Sequence, residues 1–158
     1  MADALPLLQQ AVDRSTSVQL TFLRSLLVGW LSEAYLLAGH GEDASQHASR
    51  ALELAREHKE RGHEAWALRL LGEIAAHADP PEVEQAESYY RQALALAEEL
   101  EMRPLVAHCR LGLGAVYRQI GHDQQAQAEL TVAAEMYRAM EMPFWLTKAK
   151  GALAQVAG

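Results

Sequence analysis

The chain has 158 residues, half of them apolar, which is enough for one domain with a sizeable core. Its formal charge is −7, from 21 acidic against 14 basic residues, and this argues against a broad basic face for nucleic acid. A single cysteine, Cys109, excludes an internal disulfide and fits a reducing, cytoplasmic compartment; no apolar run reaches the roughly 20 residues of a membrane span, and no secretory signal is visible at the start.

Ala and Leu dominate, accompanied by Glu, Gln and Arg, and few segments are rich in Val, Ile and Thr. Helix is expected and sheet is not. Apolar spacing predicts helices over 4–14, 17–39, 42–61, 63–78, 81–101, 104–120, 123–141 and 143–156. Gly39 and Gly121 follow the second and sixth of these, where a left-handed helix-ending residue is expected. "HADPPEVE" takes their place after the fourth, so Asp79 is expected to cap a helix that Pro80 and Pro81 begin.

Two apolar patterns recur in phase. The first runs Ala4, Leu8, Ala11, Val12, then Ala44, Ala48, Ala51, Leu52, then Ala86, Tyr90, Ala93, Leu94, and then Ala126, Leu130, Ala133, Ala134. Its steps of four, three and one residues keep to one helix face. The second is a large residue followed by a small one, with an apolar residue three further on: "LSEAY" at Leu31, "LGEIA" at Leu71 and "LGAVY" at Leu113. Val12 to Leu31, Leu52 to Leu71, Leu94 to Leu113 and Ala134 to Leu153 are each 19 positions apart. The repeat length is 40 from Leu31 to Leu71, 42 from Leu71 to Leu113 and 40 from Leu113 to Leu153. The phase runs through Asp79-Pro80-Pro81, which argues against a domain boundary there.

Large–small–x–x–aromatic, then Gly, then the Ala-rich first pattern resembles the tetratricopeptide repeat, although at about 40 residues instead of about 34. "REHKERGHEAWALRLLGEIA" and "AEELEMRPLVAHCRLGLGAVYR" are similar to the long C-terminal repeats of bacterial nucleotide-cyclase and ATPase signalling proteins. The resemblance implies an all-α, right-handed solenoid of antiparallel helix pairs. It comprises a half repeat (1–14), three full repeats (17–61, 63–101 and 104–141) and the first helix of another (143–158). In that family the first helix of each repeat lines a concave groove that takes a peptide or partner domain. Carried onto this phase, the groove set is Leu26, Gly29, Glu33, Leu36 and Leu37, then Trp66, Arg69, Glu73, Ala76 and His77, then His108, Leu111, Ala115, Arg118 and Gln119. Its arginines suit an acidic or C-terminal peptide group. The Lys and Asn of the carboxylate-clamp subset are replaced by Gly29 and Glu33, so that activity is not implied. The chain ends in mid-repeat on Phe144 and Trp145, so it is expected either to be a fragment of a longer array or to pair end to end with another copy.

The remaining motifs carry no chemistry. "RLGLGAVYRQIG" lacks the third glycine of a dinucleotide fingerprint, with Tyr117 in its place, and no strand precedes it. Its glycines read as helix contacts. Seven histidines show no metal-ligand spacing, and His108 and Cys109 are neighbours that diverge on a helix. Trp30 is expected between helices. No catalytic residue, metal or cofactor is implied. The expected function is a non-catalytic protein-binding module, or alternatively a regulatory part of a larger bacterial signalling ATPase, nucleotide cyclase or transcription regulator.

Overall fold

Among the described residues, helix formers and breakers alternate with enough regularity to set eight helices, and no strand occurs. The computed structural model describes residues 4–17 and 21–156, with side chains over 4–15 and 23–156. The helices are α1 (Ala4–Ser17), α2 (Thr21–Leu37), α3 (Gly41–Glu57), α4 (Arg61–His77), α5 (Val83–Glu99), α6 (Arg103–Gln119), α7 (Asp123–Ala139) and α8 (Pro143–Val156). The expected first helix runs three residues further than 14, and the expected start of the second overlaps 18–20, outside the described residues. Each helix packs on the next one in sequence, so the chain is a solenoid of helical hairpins, α2 with α3, α4 with α5 and α6 with α7.

The turns explain the repeat lengths. After α2, α3, α5, α6 and α7 the chain closes with the same pair of backbone hydrogen bonds. After α2, for example, Gly39 N–H donates to Leu36 O at 3.0 Å and His40 N–H to Tyr35 O at 2.9 Å. The residue between is left-handed in every case: Gly39 and Gly121 after the first helices, as expected, but Lys59, Glu101 and Glu141 after the second ones. After α4 the pattern changes. Glu82 N–H reaches back to Ala75 O at 2.9 Å, two residues further than its counterparts, and this absorbs the two extra residues of the 42-residue repeat. The expected cap at Asp79 is not formed. Pro80 and Pro81 have no N–H to donate, the chain stays non-helical through them, and α5 begins only at Val83.

The core follows the two sequence patterns. Ala44, Ala48 and Ala51, then Ala86, Tyr90 and Ala93, then Ala126, Leu130 and Ala133 are all buried, as are Leu31, Leu71 and Leu113. Small residues set the helix spacing. Ser32 donates its hydroxyl to Ala44 O at 2.6 Å. A side-chain carbon on Gly114 would lie 2.5 Å from Leu130 Cγ, and one on Gly112 would fall inside the Tyr90 ring, which also rests on Gly72. The glycines of "RLGLGAVYRQIG" are therefore close-approach points between helices, and Gly121 ends one.

Candidate functional site

Curvature decides which face is inner. The first helices of successive repeats touch one another, α2 with α4, α4 with α6 and α6 with α8, whereas α3, α5 and α7 have no such contacts among the described residues. The closer-packed row lies on the inside of the bend. Residues five before Leu31, Leu71, Leu113 and Leu153 are Leu26, Trp66, His108 and Lys148. The same repeat position therefore presents four different side chains along this face.

Between α2 and α4 the face opens into a cavity of about 330 Å³, lined by Leu26, Gly29, Trp30, Glu33, Trp66 and Arg69 among others. Gly29 leaves the room; its counterparts in later repeats are Arg69 and Leu111. Trp66 is 39% exposed, and Trp30, expected between helices, is 50% exposed at the cavity rim. Arg69 is only 8% exposed. Its terminal nitrogens donate to Glu73 at 2.6 Å and to Glu33 at 3.4 Å, and its guanidinium lies 5.0 Å from the Trp66 ring centre. Both ends of its fork are thus engaged by carboxylates of its own chain.

Behind the cavity sit three polar groups that sequence reasoning missed. Ser25 donates to the Glu60 carboxylate, and its oxygen lies 2.8 Å from His63 Nδ1, which is itself 3.3 Å from Glu60. Carboxylate and hydroxyl are both acceptors toward that nitrogen, so Nδ1 carries the proton. Serine and glutamate meet the same ring nitrogen, so no proton relay through the imidazole exists, and Ser25 is buried. The cluster ties α2 to the start of α4. Its sequence signal is a serine at a position that holds Ala65 and Ala107 in the next repeats.

Beyond Trp66 the face continues as an aromatic run. The His108 ring is 6.0 Å from Trp66 and 4.4 Å, edge-on, from Trp145, and its Nδ1 is 2.8 Å from the Tyr137 hydroxyl. Burial, reinforced by the Arg69 charge, pushes His108 down to about 4, so it is neutral near pH 7. Burial likewise raises the Tyr137 hydroxyl and pushes the Cys109 thiol up to about 12. Trp145 is half-buried against His108 and Tyr137. Phe144 remains 63% exposed, and Lys148 lies 4.9 Å from its ring and 4.8 Å from that of Trp145.

The other expected groove residues lie toward the helix ends and do not join the cavity. Leu37 is exposed. His77 is exposed and bonds Glu73 O through Nδ1 at 2.8 Å. Arg118 donates to Gln155 on α8, and Gln119 reaches Ala76 O at 3.5 Å, so both stitch neighbouring repeats together.

A solenoid of helical hairpins with a continuous inner face defines a helical-repeat architecture. The model of the tetratricopeptide repeat matches residues 81–139. The fold is shared with RapI, in a crystal structure of its apo form, at 22% identity and a TM-score of 0.74 over 84% of this chain. It is also shared with BtubC from P. vanneervenii, at 19% identity and a TM-score of 0.72 over 99% of this chain. The chain spans 47% of RapI and 71% of BtubC. No curated protein matches it in sequence.

Proposed function

We infer that the concave face binds an extended peptide or a segment of a partner protein, without catalysis, and that the α2–α4 cavity is its anchor point. The observation that carries this reading is the pairing of a preformed cavity with two exposed tryptophans on an otherwise well-packed face. Tryptophan concentrates binding energy because a large rigid ring loses little freedom on contact. Glu33, Trp66, Arg69 and Glu73 form the anchor, His108 extends it toward α8, and Leu37, His77, Arg118 and Gln119 flank it. Self-association through Phe144 on α8 is a second component, and a single monomeric species in sedimentation at high concentration would remove it. The main reading is tested with the chain as bait in three forms: wild type, Trp66→Ala, and Glu135→Ala on exposed α7. A partner held by wild type and Glu135→Ala but lost by Trp66→Ala supports the concave face. Equal capture by all three places the interface elsewhere.

A further inference from the structure

The geometry points to a guanidinium as the occupant of the α2–α4 cavity: an arginine side chain of the bound polypeptide, stacked on Trp30 and ion-paired with Glu33. This rests on the concave-face reading above and names the chemistry that the face selects.

Charge sets the sign. Three carboxylates, Glu33, Glu73 and Glu60, stand in or directly behind the cavity against one arginine, Arg69. Arg69 cannot receive an acidic ligand, because its terminal nitrogens already face Glu33 and Glu73 and its side chain is nine-tenths buried. An incoming carboxylate would meet Glu33 instead and be repelled. The expectation that the groove arginines suit an acidic peptide group therefore gives way to its opposite at this cavity.

The aromatic groups set the shape. Among the described residues the Trp30 indole meets no ring and no cation, and half of it faces solvent at the cavity rim. Glu33 follows one helical turn later, so indole and carboxylate share a face of α2. A planar guanidinium satisfies both at once, stacking on the ring and forking onto the carboxylate, with its apolar stem against Leu26. A lysine ammonium matches the charge but not the plane. Arg69 over Trp66 already makes the same contact within the chain, on the opposite wall of the cavity.

The test is selection of a randomised, cysteine-free dodecapeptide library on the intact chain, followed by fluorescence-anisotropy titration of the winners. Arginine should be enriched at one position. Its replacement by glutamine in the peptide should weaken binding about tenfold or more, and by lysine several-fold. Glu33→Gln and Trp30→Leu should each cost a similar factor while leaving the thermal midpoint within a few degrees, since both side chains are half exposed. Winners that require Trp66 yet show no arginine preference, or that are enriched in acidic residues, overturn the guanidinium assignment while the concave-face reading stands. Winners indifferent to Trp66→Ala, Trp30→Leu and Glu33→Gln alike, or no winners above background, overturn both.

Discussion

Gly112→Ala and Gly151→Ala are the same chemical change on the same kind of helix, and they should move stability in opposite directions. In an open helix position alanine is favoured over glycine by about 1 kcal/mol. Gly151 on α8 is such a position, because an added carbon meets nothing within 4 Å. Its alanine variant should be more stable by up to about 1 kcal/mol. At Gly112 the added carbon enters the Tyr90 ring. That ring has little room to swing aside, because it is buried and packs so closely on Gly72 that a carbon added there too would lie 3.0 Å from it. Overpacking of this kind costs about 1–3 kcal/mol. The propensity gain cancels between the two variants, so their difference isolates the steric term at about 1–3 kcal/mol. The assay is urea unfolding followed by helical ellipticity, compared through midpoints because repeat arrays need not unfold in one step. Adding Tyr90→Leu to Gly112→Ala should recover part of the loss, since the shorter side chain vacates the space that the new carbon fills. Gly112→Ala with a midpoint equal to that of Gly151→Ala would refute the close-approach reading of this glycine pair.

His108 ties stability to pH. Its folded-state value of about 4 lies below the ordinary 6.5, so the unfolded chain takes up a proton that the folded chain refuses. The stabilising contribution is complete above pH 6.5 and is lost as pH falls toward 4, by at most about 3 kcal/mol; His108→Gln should flatten that slope relative to wild type in unfolding at pH 7 and pH 5. Cys109 is buried with its thiol pushed up to about 12, so native protein should resist alkylation at pH 8 and react only on unfolding, as mass spectrometry after an iodoacetamide pulse would show. Glu73→Gln removes the nearer charge partner of buried Arg69 and should lower stability by about 1–2 kcal/mol, read in the same urea titration. Gly121→Val forces a β-branched residue to a φ of 73° and should cost about 1–2 kcal/mol or more, whereas Val at exposed Ala139 on α7 should cost far less.

The architecture was legible because it is periodic. Four runs of Ala and Leu with one spacing, locked 19 residues from four further leucines, fix helix number, pairing and core before any contact is known. The helix ends were legible where glycine marked them and not elsewhere. Lys59, Glu101 and Glu141 take the left-handed position in their turns, and no sequence rule singles out charged residues for that task. The error at Asp79 has the same origin: proline signals both a helix start and an extended stretch, and only the reach from Glu82 to Ala75 decides between them. On the inner face, the repeat phase directs Trp66, Arg69, Glu73 and Glu33 to one stretch, and Arg69 contacts the other three. Trp30 was misplaced because phase gives a direction around a helix, not the depth at which a large side chain meets its neighbours.

The same frame explains why recognition concentrates between α2 and α4. At the position two before the marker leucines the four first helices carry Gly29, Arg69, Leu111 and Gly151, and five before them they carry Leu26, Trp66, His108 and Lys148. Only one junction sets a glycine on one helix opposite an arginine and a tryptophan on the next, and there the face opens. At the following junction Leu111 replaces glycine and His108 fills the space with Tyr137 and Trp145 behind it, so the face closes over a neutral imidazole. The residues that repeat build the solenoid, and those that break the repeat build the cavity. Exchanging the two classes tests the point: Gly29→Leu, which copies the third repeat into the first, should leave the helical content and unfolding midpoint near wild type. It should also abolish binding of any peptide selected on the cavity. Retained binding would mean that the opening at Gly29 is not where the ligand sits.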